Sequence, residues 1–176
     1  MPDWREEPVG RHHDRKHFDC GSPALNEYLE RYARQNHESG GAKTFVAVSP
    51  SEPLRVLGYC SISPGGIAFD HVPARLTKKL GRYDVPVFRL ARLAVDHSVQ
   101  GQGLGGDLLL SAGQRALAVA AEVGGVALAI DAKDETAAHW YERFGALRLL
   151  DDPLKLILPL AVIAEAIAKA KTRWSK

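Results

Sequence analysis

Only two cysteines occur, Cys20 and Cys60, and neither stands in a C-x-x-C pair. That excludes a disulfide framework and suggests a reducing compartment. Charge is nearly balanced: 23 Lys and Arg against 21 Asp and Glu leave +2 with neutral histidines, far from the balance of a dedicated nucleic-acid coat. No stretch approaches the roughly 18 to 20 apolar residues of a membrane span. The opening Met-Pro-Asp-Trp-Arg-Glu-Glu carries no apolar secretion-signal core. A cytoplasmic protein with no membrane attachment is expected. Repeats and low-complexity linkers are also lacking.

What is present is ordinary globular material. The chain has 176 residues, enough for one domain with a proper core and too few for two full catalytic domains. Its 45% hydrophobic and 25% charged residues argue against wholesale disorder. A single domain over residues 1–176 is the expectation.

Ser22 before Pro23 reads as an N-cap with proline at the first helical position, and Leu25, Leu29 and Tyr32 follow at helical spacing. The spacing predicts strands over 44–48 and 56–62, joined by a turn over 49–53 and ended by Pro64-Gly65-Gly66. A short helix over 74–80 stops at Gly81, and a mixed strand runs over 87–95. An alanine-rich helix over about 104–123 is closed by Gly124-Gly125. The unbroken apolar run 126–130 reads as a strand covered on both faces. A helix over 135–144 is capped by Gly145, and strands over 147–150 and 154–158 turn at Asp151-Asp152-Pro153. A last amphipathic helix spans about 160–171, with Leu160, Ile163, Ile167 and Ala170 on one stripe. Packing on its own domain is the simpler reading of that stripe, and a partner-binding helix is the alternative. The fold class is α/β with a central mixed, mostly antiparallel sheet flanked by helices.

The most informative segment is Gln100-Gly101-Gln102-Gly103-Leu104-Gly105. Glycines let a ligand approach the backbone, and the N–H groups of such a loop and of the following helical turn converge where the helix dipole favours an anion. A pyrophosphate fits that description. Gly101, Gly103 and Gly106 also satisfy G-x-G-x-x-G, with Asp131 as a ribose ligand. Spacing argues against a dinucleotide site: Asp96 to Gln100 separate strand from glycines, and about 75 residues remain for a second mononucleotide half.

Gln100-x-x-Gly103-x-Gly105, following Leu93-Ala94-Val95, resembles the acetyl-CoA motif Gln/Arg-x-x-Gly-x-Gly/Ala of the GNAT superfamily of N-acetyltransferases. The order of elements agrees, and Ala137-Ala-His-Trp-Tyr-Glu-Arg-Phe-Gly145 resembles the GNAT helix ending in Tyr-x-x-x-Gly. The resemblance implies a GNAT fold with acetyl-CoA as co-substrate and no metal. It implies that the backbone of Leu93, Ala94 and Val95 pairs with pantetheine amides, and that Gln100, Gly101, Gln102, Gly103, Leu104 and Gly105 cradle the pyrophosphate. Tyr141 would be the general acid beside the thioester sulfur, because amine attack expels a thiolate and a phenol can protonate it. A core tyrosine on an apolar helix face is the other reading of Tyr141.

A narrower resemblance covers most of the chain. Phe18-Asp-Cys-Gly-Ser-Pro-Ala-Leu-Asn26, Arg31-Tyr-Ala-Arg-Gln-Asn36, Val85 to Val95 and Asp152-Pro-Leu-Lys-Leu-Ile-Leu-Pro159 are similar to the GNAT toxins of bacterial type II toxin–antitoxin modules. It implies acetyl transfer to the α-amine of an aminoacyl-tRNA, which blocks translation. The implied partner is an antitoxin with a ribbon-helix-helix DNA-binding half, and a homodimer is a further expected assembly. Between Arg75 and Arg92, six basic residues face one acid, Asp84. Lys78, Lys79, Arg82, Arg89 and Arg92 are therefore candidate tRNA contacts that position without reading sequence. A solvated face is the alternative. Arg89 and Arg92 fall on opposite strand faces, so one is expected to guide RNA and the other to make a structural ion pair. Two other functions stay open: a GNAT enzyme acting on a small-molecule or protein amine, and a catalytically silent GNAT-fold subunit.

His12, His13 and His17 invite a metal reading, with His13 and His17 neighbours on a helix, but no acid is obliged to join them. Cys20 lacks an identifiable partner histidine and reads as structural rather than nucleophilic.

Overall fold

The computed structural model describes residues 3–174. Seven strands hydrogen-bond in the order β1-β2-β3-β4-β5-β7-β6. They are β1 (Arg5–Pro8), β2 (Lys43–Ser49), β3 (Glu52–Ile67), β4 (Val85–Val95), β5 (Ala127–Asp131), β6 (Leu147–Arg148) and β7 (Lys155–Pro159). The helices are α1 (Pro23–Glu27), α2 (Ala33–Ser39), α3 (Ala74–Thr77), α4 (Leu104–Val123), α5 (Glu135–Glu142) and α6 (Leu160–Trp174). β4 and β5 run parallel, while β1–β2, β2–β3, β5–β7 and β6–β7 are antiparallel. The chain divides into two compact units, residues 1–63 with 91–109, and residues 64–90 with 110–176.

In the first unit, the Ser22 hydroxyl accepts from the Leu25 N–H and Pro23 occupies the first turn, as the sequence predicts. A π-helical turn, Tyr28–Tyr32, joins α1 to α2. Leu29, Ala33, Val46, Val48 and Tyr59 form a buried cluster against Ala94 at the end of β4. Thr44 and Ser61, opposite each other in the β2–β3 ladder, share a buried 2.6 Å hydroxyl bond, so that polar pair is satisfied inside the core. A second cluster packs Leu104 and Leu108 of α4 against Ala47 and Leu57. Gly58 makes this possible, because a Cβ there would lie 3.0 Å from the Ala94 carbonyl, 3.0 Å from Leu108 and 3.1 Å from Leu104.

β1 is absent from the sequence expectations, since Arg-Glu-Glu-Pro has no apolar alternation, and it exists by pairing Arg5 with Val48 through Pro8 with Phe45. β3 also differs. It continues through Pro64-Gly65-Gly66 to Ile67 rather than ending there. The Cβ positions of Gly65 and Gly66 would lie at ordinary contact distance, 3.8 Å from Arg89 of β4 and 3.5 Å from Asp84 just before it.

In the second unit, Val87, Ala127, Ala129 and Ile157 line one sheet face with Ile67 and Leu149. α3 closes after four residues, shorter than expected, and Leu80 N–H returns to the Thr77 carbonyl. α4 spans the predicted residues. α6 seats Leu160 and Ile163 in its own unit, with Gly113 of α4 leaving room for Ile163, whereas Ala170 is exposed. No helix among the described residues is long and apolar enough to cross a membrane.

Candidate functional site

β4 ends in the first unit at Leu93, Ala94 and Val95, of which Ala94 is buried and the other two half-buried. Immediately after it, Asp96 acts as an anchor. Its carboxylate accepts from the Asp19 N–H at 3.0 Å, the Ser98 N–H at 3.0 Å and the Ser98 hydroxyl at 2.7 Å. Arg55 stands 4.0 Å away. Burial works to raise the Asp96 pKa, but these hydrogen bonds outweigh it and hold the carboxyl below its ordinary value. The backbone repeats the link, with Asp96 N–H donating to the Leu57 carbonyl and His97 N–H to the Asp19 carbonyl. The sequence signal was local, an Asp two residues before a Ser, which caps the turn His97–Val99.

The glycine loop follows. Gly101 and Gly103 have φ of 77° and 93°, a region that L side chains rarely enter, and no atom lies within 4 Å of where either Cβ would point. Both glycines are exposed, as is Gln102, while Leu104 is buried and fixes the first turn of α4. An open loop of bare backbone entering the N-terminus of a 20-residue helix suits an anion. Gln100 is exposed as well, but its amide donates to the carbonyls of Val95 at 2.9 Å and Cys20 at 3.2 Å and so ties the loop to the chain.

Arg92 belongs to the first unit, where its guanidinium carbon sits 3.6 Å from the centroid of the Tyr28 ring. That is a cation–π contact rather than the ion pair expected of one of the two arginines. Tyr28 stacks on Tyr59, whose hydroxyl donates to the Leu25 carbonyl at 2.7 Å and whose pKa is pushed up by burial.

In the second unit, Tyr141 is buried on α5 next to Ala138, its ring edge-on to Trp140. Asp134 caps α5 by accepting from the Ala137 N–H. Arg148 of β6 clamps the helix from Glu135 to Glu142, at 2.6 and 2.8 Å, and its bonds lower the pKa of both acids. Lys78, Lys79 and Arg82 are exposed beyond α3, and none makes an ion pair among the described residues. Arg89 is exposed on β4 and lines a cleft of about 140 Å³ with His71, Asp131, Asp151 and Lys155 over a floor of Ala129, Ile130 and Leu156.

His12 and His13 are joined by Glu7, which the sequence did not single out; the three ligand atoms lie within 4.8 Å of one another. His17 pairs instead with Asp14, and no helix links it to His13. Gly10 N–H donates to His13 Nδ1, which assigns the ring proton to Nε2, and that atom is 2.6 Å from Glu7 Oε1. A cation at Nε2 would have to displace that proton and the Gly10 bond together, so the donor set fits a structural Glu–His pair better than a metal site. Cys20 is buried, its thiol directed at the Ser22 carbonyl at 3.8 Å.

Comparison with known proteins adds four findings. The acetyltransferase (GNAT) domain family matches residues 40–145. A tRNA-acetylating toxin of Mycobacterium tuberculosis (strain ATCC 25618 / H37Rv) is 36% identical over 141 residues, covering 80% of this chain and 82% of that protein. Among solved structures, AtaT complexed with acetyl-methionyl-tRNAfMet has a TM-score of 0.86 at 26% identity, covering 94% of this chain and 99% of its own. A tyrosine-to-phenylalanine mutant of the AtaT toxin, bound to the C-terminus of the antitoxin AtaR and to acetyl-CoA, has a TM-score of 0.79 at 25% identity, with coverage of 94% and 99%.

Proposed function

The chain belongs to the GNAT acetyltransferase family, and from that premise we propose that it is a toxin transferring acetyl from acetyl-CoA to the α-amine of an aminoacyl-tRNA. The observation that carries this is the 36% identity to a tRNA-acetylating toxin across four fifths of the chain. The likeness to AtaT with its acetylated tRNA supports it. Acetyl-methionyl-tRNA is what AtaT was captured with, and which amino acid this chain acetylates is for experiment.

In this reading the open glycine loop takes the pyrophosphate of acetyl-CoA. Gly101 and Gly103 leave open space beside the backbone, Gly105 keeps the first turn of α4 small, the α4 N-terminus adds a positive end, and Gln100 keeps the loop in place. The backbone of Leu93, Ala94 and Val95 pairs with the pantetheine amides. Chemically, a neutral amine attacks the thioester carbon, the carbon–sulfur bond breaks, and the thiolate leaves. Tyr141 donates its phenolic proton to that sulfur, the acylated nitrogen gives up its extra proton to water, and water returns one to the Tyr141 phenolate, leaving a neutral amide, the free thiol and the restored phenol. No metal has a role in this sequence of events.

Lys78, Lys79, Arg82 and Arg89 position the RNA through its phosphates, whereas Arg92 is committed to Tyr28. The partner is an antitoxin, of ribbon-helix-helix type on the sequence resemblance, and the enzyme is a cytoplasmic single acetyltransferase domain over residues 1–176, with the homodimer as one assembly for experiment to test. Incubation with labelled acetyl-CoA and total charged tRNA tests the reading: label on one or a few aminoacyl-tRNAs supports it, and label only on free amines or proteins overturns it.

A further inference from the structure

We propose that Tyr83 is a stacking platform for an unpaired base at the 3′ end of the tRNA. The proposal rests on the tRNA reading above. Tyr83 is 83% exposed, the highest value among the described large apolar side chains. It is nonetheless held: a Cβ on Gly81 would lie 3.1 and 3.2 Å from its Cδ2 and Cε2, so the ring leans on bare backbone at Gly81 and leaves its other side to solvent.

Its surroundings in the chain are predominantly basic. Arg82 precedes it, Lys78 and Lys79 are exposed in the same turn, and Asp84 is the sole acid between Arg75 and Arg92. Cations that follow a phosphate chain beside an aromatic face that receives a base are the chemistry of single-stranded nucleic-acid binding. A duplex offers such a ring nothing along its length, because its bases are stacked inside and only splayed or terminal nucleotides present a free face. An acidic peptide would use the cations but leave the ring without a planar partner. Tyr83 and Arg89 are six residues apart, about 20 Å along an extended chain, so an extended strand of several nucleotides is what reaches both.

The test measures binding of full-length protein to two 5′-labelled RNAs by fluorescence anisotropy: an intact uncharged tRNA, and the same tRNA without its unpaired 3′ nucleotides. Tyr83→Ala is expected to weaken binding of the intact tRNA roughly five- to hundredfold and to leave binding of the shortened one unchanged. Tyr83→Phe keeps the ring and should stay close to wild type, and the salt slope of Tyr83→Ala should equal that of wild type because no phosphate contact is lost. Wild-type affinity of Tyr83→Ala for the intact tRNA would overturn the platform. So would an equal loss on both RNAs, or a loss confined to antitoxin binding. A wild-type protein that binds neither RNA and acetylates no charged tRNA overturns the tRNA reading itself, and the platform with it.

Discussion

The side-chain amide of Gln100 donates to the backbone carbonyl of Cys20, 80 residues earlier in the chain, and also to Val95 at the end of β4. The residue that opens the glycine loop therefore stabilises the loop from behind. Two neutral hydrogen bonds contribute together about 1 to 3 kcal/mol. Gln100→Ala should accordingly raise the acetyl-CoA dissociation constant roughly tenfold while leaving turnover at saturation within about twofold. Calorimetry and steady-state kinetics separate the two. A fall in turnover at unchanged affinity would mean that the amide acts on the reacting centre.

Gly103 tests the cradle itself. Its φ of 93° would cost a side chain about 1 to 2 kcal/mol, and the space beyond its Cα is open. Gly103→Asp adds bulk and negative charge where the pyrophosphate is to sit, so it should abolish acetyl-CoA binding with the circular dichroism spectrum retained. Unchanged calorimetric affinity in the folded variant refutes the site.

Tyr141→Phe should keep acetyl-CoA affinity and lose roughly 10²- to 10⁴-fold in turnover, the usual cost of a missing general acid. Expression of that variant alone should be tolerated by growing cells. Near-normal turnover would return Tyr141 to its packing role against Trp140.

Asp96 couples the loop to pH. Its folded-state pKa is depressed: burial opposes the charge, and the bonds from Asp19 and Ser98 more than compensate. A depressed acid contributes stability that is present above its unfolded value and is lost as pH falls through the folded one. Asp96→Asn should thus cost about 1.5 to 3 kcal/mol at pH 7 in urea unfolding. The difference from wild type should shrink as the pH is taken below the ordinary carboxylate range. A gap independent of pH would show that the charge is not what anchors the turn.

Neutralising Lys78, Lys79 and Arg82 should weaken acetylation of charged tRNA without changing acetyl-CoA affinity. Each lost phosphate contact flattens the dependence of log affinity on log salt by somewhat less than one unit. Normal acetylation across a salt titration would mean that this turn is a solvated face.

Much of the frame is local in origin and so is readable from the chain. The Ser22 cap, the 20-residue α4 and the glycines before it depend on neighbours within a few positions. The elements that escaped are those created by distant partners. Arg5 to Pro8 become a strand because β2 is there to receive them, and β3 runs on through Pro64-Gly65-Gly66 where the local turn signal alone predicts an end. The same holds at the site. The glycine loop was legible, whereas the commitment of Arg92 to Tyr28, of Gln100 to Cys20 and of Asp96 to Asp19 spans 64, 80 and 77 positions and exists only once the chain has folded.

Gly58 carries a consequence for how such a protein is silenced. Its bare backbone is what lets the Ala94 carbonyl at the end of β4 and the first leucines of α4 pack close together. One added methyl would sit 3.0 Å from the Ala94 carbonyl and 3.0 and 3.1 Å from Leu108 and Leu104, so the packing beside the glycine loop must give by a few tenths of an ångström. Cells that escape a toxic gene need only one inactivating substitution, and those selected here should fall at Gly58 as well as in the loop. For a bench scientist, Gly58→Ala is in turn a means of producing the chain in living cells with its tyrosine, its arginines and its exposed surfaces all unaltered.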